Sequence, residues 1–128
     1  MSDDEHDKIA IPVVGGLEFH KSKNLVRVKG DNNYSNFYFI DKKTINSSYG
    51  LKFYEAQLIG KGFMRVHQSH IINIDYVMGY RKGDGGIVVM EDGSEVDVSR
   101  RHKEMLTLEL VKRWGCAAII DRALNHSG

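Results

Sequence analysis

One stretch constrains this chain more than any other: residues 63–75, Phe-Met-Arg-Val-His-Gln-Ser-His-Ile-Ile-Asn-Ile-Asp. Phe63, Met64 and Val66 lead in, Ile71, Ile72 and Ile74 lead out, and His67, Gln68, Ser69 and His70 interrupt the apolar run between them. Two apolar segments so close together predict a strand pair. A purely structural hairpin would more simply carry a Gly-rich or Asn-Gly turn at its tip. The polar insert therefore reads as functional, against the plain alternative of a polar connection between two strands.

The rest of the chain follows the same grammar. Residues 1–8 read as a flexible acidic leader. Ile9, Ile11, Val13 and Val14 form a short strand, which Pro12 demotes to an edge or a strand start. Residues 17–20 and 25–28 are two further strands, with a turn over 22–24. Gly30-Asp31-Asn32-Asn33 is a hairpin turn, because Gly and Asn tolerate positive φ. Residues 34–40 and 44–48 are strands flanking the turn at 41–43. Leu51, Tyr54, Ala56 and Leu58 fit a short internal helix. Residues 76–80, 87–90 and 95–98 complete the strands, with a flexible glycine-rich tip at 82–86 and an Asp-Gly turn at 92–93. Ser99 stands at the N-cap of a helix carrying Met105, Leu106, Leu110 and Val111. Trp114-Gly115 closes it, and a second short helix fits 117–124. Many short strands joined by Gly and Asn turns predict a mainly β, antiparallel architecture in one domain.

Composition narrows the function classes. With 128 residues, 41% hydrophobic and 27% charged, the chain suits a single globule. It has no run of about 18 apolar residues, as a membrane-spanning helix requires. Its acidic start is unlike a secretory or transit peptide, so a cytoplasmic location is expected. The single cysteine, Cys116, has no internal disulfide partner. A net charge of +1 conceals an uneven distribution. Residues 8–103 hold 15 Lys and Arg against 10 Asp and Glu, an excess of five compatible with a polyanionic partner.

Catalytic readings find little support. His67 and His70 lie three residues apart, but no nearby group completes zinc-ligand spacing, and His70 beside Ile71 and Ile72 suits a packed histidine better. Ser69 lacks a nucleophile elbow and an acid partner. Gly83 to Gly86 lacks the Gly-Lys-Ser/Thr ending of a phosphate loop. No enzyme activity, metal or other cofactor is expected. Nucleic-acid binding accounts for more residues. Residues 32–35, 65–69 and 99–103 are three loops rich in donors, and the last also opens a helix with unpaired backbone N–H groups. Taken alone, the Arg-Arg-His-Lys run of the third would suit a solvated helix face equally well.

At this point the chain resembles the LytTR DNA-binding domain of bacterial transcriptional regulators. Phe63 to Val77 is similar to that family's Phe-x-Arg-x-His-x-Ser core. Val89-Met-Glu-Asp-Gly-Ser-Glu-Val-Asp-Val-Ser-Arg-Arg101 is similar to its second signature, a strand, a glycine turn and Val-Ser-Arg. The similarity runs over about residues 9–110. The resemblance implies an elongated antiparallel β-β-β sandwich with a short internal helix and a C-terminal helix, inserting loops into successive major grooves. It places Gln68 and Arg100 at base-reading positions, with Tyr34 at or near a third. Arg suits guanine and Gln suits adenine. Ser69, Arg101 and Lys103 match phosphate-holding positions, and Asn33, Arg65 and His67 beside them take the same role. Asn73 falls to a structural hydrogen bond.

The resemblance implies double-stranded DNA with two half-sites as partner, a homodimer on that DNA, and an upstream sensor kinase or receiver in a two-component system. The chain departs from the pattern in three ways. It carries no receiver domain, so a stand-alone regulator or a C-terminal half is expected. His70 stands where an aromatic residue is usual. Residues 112–128 form an apolar helical tail beyond a domain at 9–111. A rival reading keeps the scaffold as a protein-interaction module that binds a partner through the same loops or self-associates through the tail.

Overall fold

The computed structural model describes residues 7–115. Ten strands and two helices follow in order: β1 (Lys8–Val13), β2 (Gly16–Lys21), β3 (Leu25–Asp31), β4 (Tyr34–Phe39), β5 (Thr44–Ser47), α1 (Leu51–Ile59), β6 (Phe63–His67), β7 (His70–Asn73), β8 (Val77–Arg81), β9 (Ile87–Met90), β10 (Glu95–Asp97) and α2 (Arg100–Arg113). They form three antiparallel sheets, as expected: the β1-β2 hairpin, a five-stranded sheet ordered β5-β4-β3-β7-β6, and a three-stranded sheet ordered β10-β9-β8. The 3-10 turns Ser22–Asn24 and Ile74–Tyr76 join successive sheets.

The five-stranded sheet is the middle layer, because its central strands are apolar on both faces. Leu25, Val28, Phe37, Phe39, Phe63 and Ile71 pack with Ile9 and Ile11 of β1 and with Leu51, Tyr54 and Leu58 of α1. On the other face, Val26, Val66, Ile72 and Ile74 pack with Val88, Met90, Val96 and Val98, and with Leu106 and Leu110 of α2. Adjacent Ile71 and Ile72 thus serve opposite cores, as the period-two alternation of a strand requires. A register shift between Leu25 and Arg27 presents Val26 to the second core.

Asn73 ends β7 fully inside, 3% exposed. Its amide donates to Leu25 O at 2.9 Å, and its side-chain oxygen accepts from Asp75 N at 3.0 Å, tying the middle sheet to the turn that leads into β8. The structural role expected for it holds. Asn73→Ala strands a buried carbonyl and an N–H together and is expected to cost about 2 kcal/mol, read as a lower urea midpoint with an unchanged slope.

Several boundaries differ from the sequence reading. Lys8 belongs to β1, and Asp7 O accepts from Ser22 N at 2.5 Å, so the ordered fold begins before residue 9. Helix α2 runs to Arg113 and ends at Trp114, where the sequence reading closes it; its last turn passes the domain limit drawn at 111, and Arg113 pairs there with Glu109 and with Asp75 across the fold. The tip at 82–86 is exposed over 82–84 but anchored at its end: Gly85 is buried, its carbonyl accepts from the Tyr80 hydroxyl at 2.6 Å, and Gly86 O accepts from Val98 N at 3.0 Å. The second helix expected at 117–124, most of the 112–128 tail and most of the leader lie outside the described residues. Among the described residues, no helix is long and apolar enough to cross a membrane.

Candidate nucleic-acid interface

The polar insert forms the turn between β6 and β7, where His67 pairs with His70 across a two-residue tip, Gln68-Ser69. The His67 ring accepts from Ser69 N through Nδ1 at 3.0 Å, which closes the turn without a glycine. Arg65 braces it from within. Its Nε donates to His67 O at 3.1 Å, one terminal nitrogen donates to Gln68 O at 2.5 Å, and the other pairs with Glu55 of α1 at 2.6 Å. The Gln68 side chain is left exposed at the tip.

Two backbone hydrogen bonds connect this turn to the other two predicted loops. Gly30 N, at the mouth of the β3-β4 hairpin, donates to Ser69 O at 2.8 Å. Ser99 N, one residue before α2, donates to Val66 O at 2.9 Å. The three loops therefore line one edge of the molecule, with the β6-β7 turn in the middle. In the hairpin, Asn32 takes the left-handed conformation at φ 58°, which allows a two-residue tip between paired Asp31 and Tyr34. Asn33 and Tyr34 are exposed there. A Cβ on Gly30 would stand 3.0 Å from the Leu51 side chain, so the absence of a side chain lets α1 seat against the hairpin.

At the third loop Ser99 holds the extended backbone of an N-cap, φ −75° and ψ 153°, but its hydroxyl does not cap. It lies 2.5 Å from His102 Nδ1 instead. The first N–H groups of α2 thus gain no side-chain oxygen, and the helix start keeps its partial positive charge. Arg100 and Arg101 are exposed and Lys103 half-buried. Arg100 faces Asp84 at 3.4 Å, both ends open to solvent, so the pair holds Arg100 weakly. A cleft of about 480 Å³ lined by Glu55, Arg65, His67, Gln68, Ser99, Arg101 and His102 lies between the turn and the helix start.

All nine predicted site residues lie on these three loops. Arg65 stands apart from the other eight, because its guanidinium is turned inward and fully engaged. Three residues of this region, Glu55, which anchors Arg65 from another element, and Asp84 and Gly85 inside a Gly-rich run, were not singled out in the sequence, and His102 stood in the 99–103 run without a role of its own.

The electrostatics favour neutral histidines beneath a cationic rim. Burial, then His67, Arg27 and Lys29, push the His70 ring down to about 4. Burial, then Arg101, Arg65 and His67, also hold His102 below the usual histidine range. Among the described residues His70 Nδ1 has no hydrogen-bond partner, which suits an unprotonated nitrogen better than a charged one. The folded chain thus refuses a proton at His70 that the unfolded chain binds below its ordinary value of 6.5. The stability contributed by neutral His70 is complete above about pH 6.5 and is lost as pH falls towards 4. Melting temperature is expected to fall through that window, and His70→Phe to flatten the fall. An equal slope in the variant would place the titration elsewhere.

Known proteins match this architecture. The family model "LytTr DNA-binding domain" matches residues 17–110. The heme-containing CO-sensing transcriptional regulators RcoM 2 and RcoM 1 of Paraburkholderia xenovorans (strain LB400) are each 32% identical over 87 residues, 66% of this chain. The match covers 32% of each regulator, so it spans about a third of the length of these relatives. The LytTr DNA-binding domain of a Bacillus cereus protein superposes with a TM-score of 0.68 at 17% identity, covering 81% of this chain and 96% of that one. Residues 17–110, three antiparallel sheets with two helices, place this chain in the LytTr DNA-binding domain family.

Proposed function

We propose that this chain binds double-stranded DNA in a sequence-specific manner and regulates transcription, by inserting the β3-β4 hairpin, the β6-β7 turn and the start of α2 into successive major grooves. The carrying observation is the pair of backbone hydrogen bonds, Gly30 N to Ser69 O and Ser99 N to Val66 O, that fixes the three loops along one edge. Gln68, Arg100 and Tyr34 read bases from the exposed tips. Asn33, His67, Ser69, Arg101 and Lys103 hold phosphates and set the register, aided by the uncapped N-terminus of α2. Arg65 acts one step removed, presenting Gln68 rather than touching DNA. Two copies occupy two half-sites, in the cytoplasm of a bacterium, under a sensor kinase or receiver partner. The family match and the name of the transcriptional regulators RcoM 1 and RcoM 2 support the reading.

Selection from a random duplex pool with wild type, Gln68→Ala and Arg100→Ala tests it. An enriched motif with two half-sites, blurred at one base by each variant, is the expected result. On the best site Arg100→Ala is expected to cost about 1–3 kcal/mol, whereas Lys103→Ala weakens all sequences alike and makes the salt slope shallower by about one. Equal losses on selected and random duplexes would remove Arg100 from base reading.

A further inference from the structure

The β1-β2 hairpin carries an unused edge and an unused face. Its inner face is spent on the core, through Ile9 and Ile11 and through His20, whose ring packs 5.1 Å from Phe39. The free edge of β1 is covered. Gln57 of α1 accepts from Ala10 N at 2.7 Å and donates to Ala10 O at 3.4 Å, and the Ser47 hydroxyl donates to Pro12 O at 3.3 Å. Strand β2 has no such cover, for among the described residues it pairs with β1 alone. On its outer face Leu17 is 58% and Phe19 61% exposed. An open edge flanked by large apolar side chains is a template for pairing with another strand.

We infer that β2 is a self-association surface, pairing antiparallel with β2 of a second copy of this chain about a twofold axis through Phe19. Charge favours this register over the neighbouring one centred on Glu18. A twofold axis perpendicular to the sheet keeps the outer faces of both copies on one side, so it must pass through a residue position. Centred on Glu18, it would set two carboxylates opposite each other, which is destabilising. Centred on Phe19, it brings the Glu18–His20 contact that each copy makes within its own strand, at 2.9 Å, against the same pair of the second copy with opposite groups facing, and sets Leu17 opposite the stem of its Lys21, while the two Phe19 rings meet. The result is a four-stranded sheet, β1-β2 continued by β2-β1. None of the β2 residues belongs to the three loops, so the inference stands whether or not those loops bind DNA. A hairpin interface buries little area, so the dimer is a weak one.

Sedimentation equilibrium of the full chain over a wide concentration range tests the inference. The apparent mass is expected to rise from 14.5 kDa towards twice that value. Phe19→Asp is expected to weaken association more than about tenfold with an unchanged melting curve. Leu17→Lys does the same should Phe19→Asp not fold. On a Cys116→Ser background, oxidation is expected to cross-link Phe19→Cys, whose paired Cα atoms fall in disulfide range, and to spare Leu17→Cys. A chain that stays monomeric at its solubility limit would overturn the inference, as would a dimer that survives both charge substitutions. Cross-linking through position 17 instead of 19 would overturn the register.

Discussion

Gly85→Ala is expected to lower stability by about 3 kcal/mol and to weaken binding to a selected duplex by more than about tenfold. A Cβ at this position would stand 1.8 Å from Val98 O and 2.8 Å from the Ser99 carbonyl carbon. Both neighbours are backbone, so no rotamer change relieves the clash. Either the 82–86 tip lifts away, breaking the bond from Val98 N to Gly86 O and that from the Tyr80 hydroxyl to Gly85 O, or the start of α2 moves. The second route displaces Arg100 and Arg101 from the interface edge. Gly83→Ala is the control, because its Cβ would meet Gly86 at 3.8 Å, an ordinary contact. Urea unfolding and duplex titration of both variants check the prediction. A Gly85→Ala protein as stable and as tight-binding as wild type would show that the tip does not hold the helix start in place.

Arg65→Ala is expected to unpin the β6-β7 turn, costing about 1–2 kcal/mol of stability and about tenfold in affinity for a selected duplex. Three side-chain nitrogens serve three acceptors on two elements, and an alanine leaves the carbonyls of His67 and Gln68 and the Glu55 carboxylate without them. Lysine cannot restore this geometry, since it lacks the planar fork, so Arg65→Lys should behave much like the alanine variant. The salt slope separates positioning from phosphate contact. A positioning residue leaves it unchanged, whereas loss of one phosphate contact makes it shallower by about 0.9. A shallower slope in Arg65→Ala would return Arg65 to the phosphate contacts.

Local signals in the sequence carried much of this architecture. The turn at Asn32-Asn33, the short α1 and the Asp-Gly turn each follow from residue types whose backbone preferences dominate over a few positions. Residues 63–75 proved central in space as well as in sequence, because a polar tip between two apolar strands must lie at a sheet edge while the strands stay inside. What escaped depends on contacts between distant segments. Nothing local shows that Glu55 would reach Arg65 from α1 and turn a free cation into a brace. Gly85 looked like a loose glycine because its constraint is the carbonyl of Val98, in the link between β10 and α2. Ser99 sat where a cap belongs, yet its hydroxyl went to His102. The meeting of three separate loops on one edge is likewise a product of sheet register, which pairs β3 with β7, and not of any motif within a loop.

The most direct test of the central claim is a titration of the wild-type chain against its selected duplex and a scrambled duplex across a salt series. Tight binding to the selected duplex at low salt, affinity that falls steeply as salt rises, and a preference over the scrambled duplex that persists throughout are the expected results. Weak binding without preference, or a flat salt response from a folded chain, would contradict the claim. The same loops would then have to be tested against a protein partner.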